Sequence, residues 1–467
     1  MGRMLVLMRH GKAQSRDGAI PDEQRRLTRA GKRALAARLP QDLLLWKPPA
    51  CGEVAIWTSP AVRTRQTAQM LADVLGKRSV ACTGPVDQRF LLDQDLEAFL
   101  AAIAGAREGC IACVGHNPFI EEALALLTGA QLHLSPGGIA AMELDEAGLS
   151  AFAVRAGEGG GEEADAREQA GGSGAAGCAA PARDAEAPLA RLLWIVQGAA
   201  VAPWKTLCDL EDIVEGAQRR MEERLAAFLA DPDDVEALHK LRVSVRTLRS
   251  LFKFLAPFQK GSQARAVQRD LRSVVVPTSR LRELDVLCAE AGAMEPPSAE
   301  LAEACRTLRE GERDRVLEAL GGERAAQAVE RVRKAAKGFA WKRRIRRDGL
   351  QAKQVAQRFD DLEAEVATMR AETDLADAEA THDLRKAAKR VRYAAEGFAA
   401  FLDPGRAEAA VAGMKAVQDE LGALCDARVN AEIVRDFPRK GLSGQALRDL
   451  DALEAKSRYF IARTLRG

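Results

Sequence analysis

Leu5-Val6-Leu7-Met8-Arg9-His10-Gly11-Lys12-Ala13 decides the reading of the N-terminal part of this 467-residue chain. A short apolar run ends abruptly in Arg-His-Gly. Runs of this kind suit a strand buried on both faces of a parallel or mixed sheet. Gly11 then lets the chain turn sharply beside the residues before it. A strand end that offers imidazole next to guanidinium is suited to phosphoryl chemistry. Imidazole is a nucleophile at neutral pH, and guanidinium grips phosphate oxygens in a fixed fork. Three residues alone are weak evidence, because a histidine at a strand end is often structural; two later segments give them weight.

Working outward, residues 1–155 alternate strand-like and helix-like runs. Leu5–Met8, Val54–Trp57, Ile111–Val114 and Ile139–Leu144 read as strands. Thr28–Leu39, Val62–Leu75 and Asp95–Ala104 read as helices, with Thr28 as an N-cap. This rhythm predicts an α/β sandwich whose ligands sit beyond the carboxyl ends of the strands. Residues 156–188 hold 11 Ala, 8 Gly and seven acids with almost nothing large and apolar, a composition that predicts a disordered insertion. Leu189–Val196 reads as one more strand, with Ala151–Arg155 as its expected partner. The first domain is therefore expected at residues 1–203, with the insertion at 156–188.

The second segment is Thr58-Ser59-Pro60-Ala61-Val62-Arg63, which closes a strand and opens a helix, with Pro60 expected at its first position. Arg63 in the first turns of that helix can point where Arg9 points. The third is Val114-Gly115-His116-Asn117-Pro118, again a strand ending in Gly-His. A phosphate there would meet two guanidiniums and two imidazoles.

From Lys205 the chain reads as helical throughout: apolar residues recur at three and four, and Ala, Leu, Glu and Arg dominate. Breaks are expected at Asp231-Pro232, Pro257, Pro277, Pro296-Pro297, Gly321-Gly322, Asp403-Pro404 and Gly441–Gly444. His239-Lys-Leu-Arg242 with Arg246 and Arg249 matches His382-Asp-Leu-Arg385 with Lys389 and Arg392, always 143 residues apart. An all-α duplicated helical bundle at residues 204–467 follows, with repeats at about 205–320 and 350–467. His239, Arg242, Arg246, Arg249 and Lys253 are spaced 3, 4, 3, 4 and share one helical face; His382, Arg385, Lys389 and Arg392 repeat the pattern. Such a row is either a solvated face paired with neighbouring acids such as Glu283, Asp285, Asp419 and Asp426, or a binding face for a polyanion.

Composition narrows the classes. Net charge is only +2, so clustering of cations matters more than their sum. No apolar run reaches the length of a membrane span, and no basic segment followed by an apolar core opens the chain, so a cytoplasmic protein without a membrane partner is expected. The nine scattered cysteines read as reduced core thiols, and Cys110/Cys113 lack the companions of a metal site. Arg331–Arg347 carries nine Lys/Arg and no acid around Phe339 and Trp341. One aromatic pair is a poor stacking platform, so nucleic acid is disfavoured as the partner.

Residues 1–200 resemble the histidine phosphatase superfamily, and within it the small SixA-type phosphohistidine phosphatases. The matching elements are Met8-Arg9-His10-Gly11, Arg25-Arg26-Leu27-Thr28 with Gly31, Ser59–Ala68, Gly115-His116-Asn117-Pro118 and the late strand with Trp194. The resemblance implies that His10 is the nucleophile and that Arg9, Arg63 and His116 hold the phosphoryl oxygens, with neither metal nor other cofactor. Asp22 and Glu23 are candidates for the general acid from position alone, Asp22 being preferred. The implied substrate is protein phosphohistidine or a small phosphoester.

Residues 205–467 resemble the CHAD domain, the conserved-histidine α-helical domain associated with inorganic polyphosphate. The resemblance rests on the two His-x-Leu-Arg rows and on Arg282-Glu283-Leu284-Asp285 and Leu421-Gly422-Ala423-Leu424-Cys425-Asp426. It implies polyphosphate as partner of both cationic rows, a phosphatase held at polyphosphate, and a place at polyphosphate granules. Pro277 and Thr278-Ser279, standing where the second half has Leu421-Gly422, predict a local kink in the first half. Two other readings stay open: a phosphatase acting on polyphosphate ends, and a non-catalytic polyphosphate-binding scaffold.

Overall fold

A computed structural model describes residues 2–46, 53–151, 188–295 and 298–466. The expected insertion at 156–188 lies outside the described residues except for Pro188, as does the expected break at Pro296-Pro297. The chain divides into two compact units, residues 1–205 and 206–467.

In the first unit β1 (Met4–Arg9), β2 (Val54–Thr58), β3 (Cys82–Asp87), β4 (Cys110–Gly115), β5 (Ile139–Leu144) and β6 (Ala190–Val196) form one sheet of order β3-β2-β4-β1-β5-β6. β1 to β4 pair in parallel, and β5 and β6 close one side antiparallel. Side chains alternate between two cores, as the two-residue strand period requires. Leu5, Leu7, Ile111 and Cys113 face one core with Phe99 and Phe119. Val6, Met8, Ala112 and Val114 face the other with Leu39 and Leu71. Both faces of the central strands are buried, which is why these runs are apolar without alternation.

The helices between them are α1 (Arg29–Asp42), α2 (Val62–Lys77), α3 (Phe90–Asp93), α4 (Leu96–Gly105) and α5 (Phe119–Thr128), with a short helix α6 at residues 146–151 after β5. Thr28 caps α1 as expected, accepting from the Gly31 N–H at 2.9 Å. The N-cap of α2 is Ala61, so Pro60 precedes the helix rather than opening it, and Arg63 still falls in the first turn. Leu189–Val196 does become a strand, β6, and it pairs with β5; Ala151 ends α6, and the rest of the expected partner, residues 152–155, lies outside the described residues. Cys110 and Cys113 are buried in the two cores, and burial pushes their thiols up, Cys110 to about 12.

The second unit is helical: α7 (Ala202–Ala230), α8 (Val235–Leu255), α9 (Gly261–Val275), α10 (Ser279–Gly292), α11 (Ala299–Gly321), α12 (Glu323–Lys337), α13 (Arg343–Asp348), α14 (Ala352–Glu372), α15 (Ala378–Phe398), α16 (Pro404–Arg435) and α17 (Gly444–Thr464). The 143-residue offset holds for whole elements. It carries both ends of α8 onto α15, and it carries the start of α9 and the end of α10 onto the two ends of α16. The second half thus has one unbroken 32-residue helix where the first has two. The interruption falls at Val276-Pro277-Thr278, where proline cannot supply the helical N–H. The halves share a core in which Leu284, Leu287 and Leu301 of α10 and α11 pack with Ile433, Val434 and Leu450 of α16 and α17. Against α8, α15 comes so close that a Cβ on Gly397 would stand 2.5 Å from Leu251 Cδ2. Among the described residues, no helix is long and apolar enough to cross a membrane.

Candidate functional sites

Parallel pairing builds the first site. β1 and β4 run in register, Met8 beside Val114 and Arg9 beside Gly115, so both strands end at the same level. His10 N–H donates to the Gly115 carbonyl at 2.9 Å, and Ser59 N–H donates to Val114 at 3.1 Å. The three sequence segments therefore converge. Two glycines allow the tight packing behind them. A Cβ on Gly11 would stand 2.5 Å from Leu35 Cδ1, and one on Gly31 would stand 2.3 Å from the Lys12 carbonyl oxygen.

His10 Nδ1 lies 2.7 Å from its neighbour's carbonyl, Gly11 O. A carbonyl only accepts, so Nδ1 carries the proton and the Nε2 lone pair points away from the backbone. Arg63 Nε donates to that Nε2 at 3.2 Å. Burial pushes the imidazole down to about 4; the Gly11 carbonyl opposes this, and the charges of Arg63, His116 and Arg9 add to it. His10 is thus neutral near pH 7. His116 is buried, and burial and Arg63 push its imidazole down as well. Its Nδ1 has no partner, nor does the buried Nε of Arg9. Arg9 is aimed by the Leu134 carbonyl, which accepts from its Nη1 at 2.6 Å. Glu121 fixes that loop by accepting from Leu134 N–H at 2.8 Å.

Asp22 reaches the site, but not as an acid. Its carboxylate takes Arg63 Nη2 at 2.7 Å, Arg25 Nη2 at 2.7 Å and Arg16 Nε at 3.0 Å. Partial burial would raise it; the hydrogen bonds and charges of Arg25 and Arg63 outweigh this and hold it at about 2. A carboxylate so held has no proton to give near neutral pH, so the donor role expected for Asp22 does not fit. Its geometry is that of an anchor for Arg63, which is 1% exposed and needs a counter-charge at that depth. Arg16, which the sequence reading passed over, joins the same cluster. His133 lies on the surface 2.8 Å from Glu121.

In the second unit the cationic row on α8 does not act as one. His239, Arg242 and Arg246 cluster with Arg282 of α10. Arg246 also faces Lys389 of α15, whose ammonium is pushed down to about 8 by burial and then by Arg385 and Arg246. His382 lies beside Arg385 and Lys389. These seven residues make one cationic cluster, named the groove below for the binding role proposed for it. Burial, then Arg246, pushes Arg242 down to about 10. Three expected members lie elsewhere. Arg249 donates to Gln268 at 3.2 Å and faces Arg272. Lys253 faces Arg390 and Lys386. Arg392 pairs with Glu396 at 3.0 Å on its own helix and lies over the Tyr393 ring. Acids reach the row too: Arg385 pairs with Asp426 at 3.1 Å, and the charges of Glu283 and Asp285 act on Arg242, whose hydrogen-bond partners are Thr278 Oγ1 at 2.7 Å and Ser279 Oγ at 3.3 Å. The Nε atoms of Arg246 and Arg385 are buried without a partner.

Acids also answer the basic run at Arg331–Arg347. Arg331 pairs with Asp270, and Arg333 with Glu222 and Glu330, while Phe339 stacks on Phe252 and Trp341 donates to Glu211. The aromatic pair is core rather than a platform for bases. Among the described residues, no three His, Cys, Asp or Glu side chains gather as a metal-ligand set.

Fold and sites define a chain of two parts: an α/β unit with two histidines and two arginines gathered beyond its strand ends, and a duplicated helical unit with a cationic cluster. In the second part, the family model of the CHAD domain matches residues 212–435. Three solved structures are similar. The CHAD domain from the plant Ricinus communis is 21% identical, covering 56% of this chain and 91% of that one, with a TM-score of 0.45. The putative phosphohistidine phosphatase SixA from Agrobacterium tumefaciens is 24% identical, covering 31% of this chain and 94% of that one, at 0.26. A protein histidine phosphatase SixA complexed with tungstate is 25% identical, covering 31% and 90%, at 0.23. No curated protein matches the chain.

Proposed function

We propose that the first unit is a phosphatase that works through a phosphohistidine intermediate on His10, and that the helical unit holds it to inorganic polyphosphate. The observation that carries the first part is the state of His10: neutral, with its proton on Nδ1 and Nε2 directed at Arg63. The Nε2 lone pair attacks phosphorus in line, an N–P bond forms, and the bond to the leaving group breaks. Arg63, Arg9 and His116 stabilise the charge on the equatorial oxygens. Water then attacks phosphorus, the N–P bond breaks, inorganic phosphate leaves, and Nε2 regains its lone pair. No carboxylic acid is assigned to the leaving group. That favours substrates that leave easily, protein phosphohistidine first and activated phosphoesters next. A row of cations with buried, unpartnered Nε atoms supports a flexible linear polyanion in the groove, bound by many weak contacts. The test is a parallel assay of the full chain on phosphohistidine, aryl phosphate and polyphosphate, with His10→Ala as control. Turnover of polyphosphate alone would replace this reading with a polyphosphate-end phosphatase. Retained turnover in a folded His10→Ala variant would sink both.

A further inference from the structure

A second cationic feature lies outside the groove. α8, α14 and α15 line a small, partly open cavity of about 140 Å³ formed by Lys253, Arg358 and Arg390, with Phe254 and Leu362 as apolar wall and Glu365 as its one acid. None of the groove residues lines it. That volume lies below the range for drug-sized ligands and suits only a small, compact one. The Nε atoms of Arg358 and Arg390 are buried and have no hydrogen-bond partner. Glu365 stands 3.9 Å from Arg390, too far for a hydrogen bond, and is half exposed. Lys253 is pushed down by burial and then by Arg390 and Arg249. Three cations therefore line a partly desolvated space with one carboxylate, which forms a long ion pair with Arg390 and leaves both Nε atoms unsatisfied.

The duplication provides an internal control. Shifted by 143 residues, Lys253 corresponds to Glu396, Arg390 to Thr247, Arg358 to Glu215 and Glu365 to Glu222. The counterpart is acidic, with Glu396 paired to Arg392 and Glu222 to Arg333. The helical scaffold thus does not require cations at these positions. Placing three of them together in one half only costs repulsion that an anion would relieve.

We propose that this cavity is a separate site for a compact, multiply charged phosphate anion, a short phosphoanhydride, gripped by the Arg358 and Arg390 forks and by Lys253. Guanidinium forks match phosphate oxygens, and the apolar wall strengthens each contact by excluding water. The site does not depend on what the groove binds.

The experiment is calorimetric titration of the full chain with tripolyphosphate and, separately, with orthophosphate. Arg358→Gln/Arg390→Gln is compared with a groove variant, Arg246→Gln/Lys389→Gln, each checked by thermal melting. The pocket variant should weaken tripolyphosphate about tenfold or more, the scale of lost charge-assisted hydrogen bonds, while the groove variant retains this site. Glu365→Gln, at a half-exposed position with little risk to folding, should tighten binding severalfold by removing the competing carboxylate. Loss in the groove variant alone, or unchanged affinity and stoichiometry in a folded pocket variant, overturns the proposal. If the pocket variant does not fold, Glu365→Gln decides: unchanged or weaker binding overturns it.

Discussion

Arg63 Nε and His10 Nε2 stand 3.2 Å apart, the guanidinium donating to the very nitrogen whose lone pair would attack phosphorus. A phosphoryl group entering the site must come between them, and the arginine then turns its donors from nitrogen to phosphate oxygen. Arg63→Ala should lower kcat/KM by roughly 100- to 1000-fold, the usual loss for one preorganised donor to developing charge. Steady-state kinetics on an aryl phosphate checks this, and a loss below about threefold would remove Arg63 from the chemistry.

Asp22→Asn separates an anchor from an acid. An anchor's loss leaves Arg63 buried with weakened support, so kcat/KM should fall while the shape of the pH–rate profile stays the same. Were Asp22 the proton donor, the limb of the profile reporting the protonated acid would vanish with it.

The depressed imidazole gives a signed pH prediction. An ordinary histidine gains its proton near pH 6.5, whereas His10 in the folded chain should do so near 4. Between those values the unfolded chain binds a proton that the folded chain refuses, so this residue weakens the fold as pH falls through that window. Imidazole resonances followed by NMR should show His10 titrating near 4. A midpoint near 6.5 would mean that the site is more hydrated than its geometry requires.

Gly31→Ala tests the packing behind the site. Alanine is the better helix former by about 1 kcal/mol, yet its Cβ would meet the Lys12 carbonyl at 2.3 Å, inside van der Waals contact. The clash should win by about 1–3 kcal/mol, the usual range for overpacking, and appear as a lower melting temperature.

Lys389 sets the pH range of the groove. Its ammonium is held at about 8, against about 10.4 for a free lysine. Only the charged form attracts a polyanion, so long-chain polyphosphate affinity should fall as pH rises from 7 to 9. Lys389→Arg should flatten that fall, since guanidinium stays charged throughout. Affinity should also drop steeply with salt as counterions are released. A titration indifferent to both pH and salt would mean the groove is only a solvated helix face.

How far the sequence could be read depended on whether a signal was local. β1, β4 and the Thr28 cap were legible because burial on both faces and capping chemistry write themselves into a few adjacent residues. β3 was missed because Gly84-Pro85 interrupts it, and an edge strand tolerates such residues. α5 was missed although Phe119, Ile120, Ala123, Leu124 and Leu127 mark its buried face. The cationic row runs along α8, but its two ends have different neighbours. Fourteen residues of helix separate His239 from Lys253 by about 21 Å, so a shared face does not mean a shared neighbourhood. Asp22's role was invisible because its partners Arg16, Arg25 and Arg63 meet only in the fold.

Arg246 and Lys389 are the same position in the two copies of the repeat, and they face each other. Equivalent positions meet only where an approximate two-fold axis passes. A groove on such an axis has no head and no tail. A polymer with chemically identical ends enters it equally well from either side, whereas a strand with a 5′ and a 3′ end would meet a surface indifferent to its polarity. For the polyphosphate partner proposed above, a directionless chain, the duplication offers the same contacts in either sense.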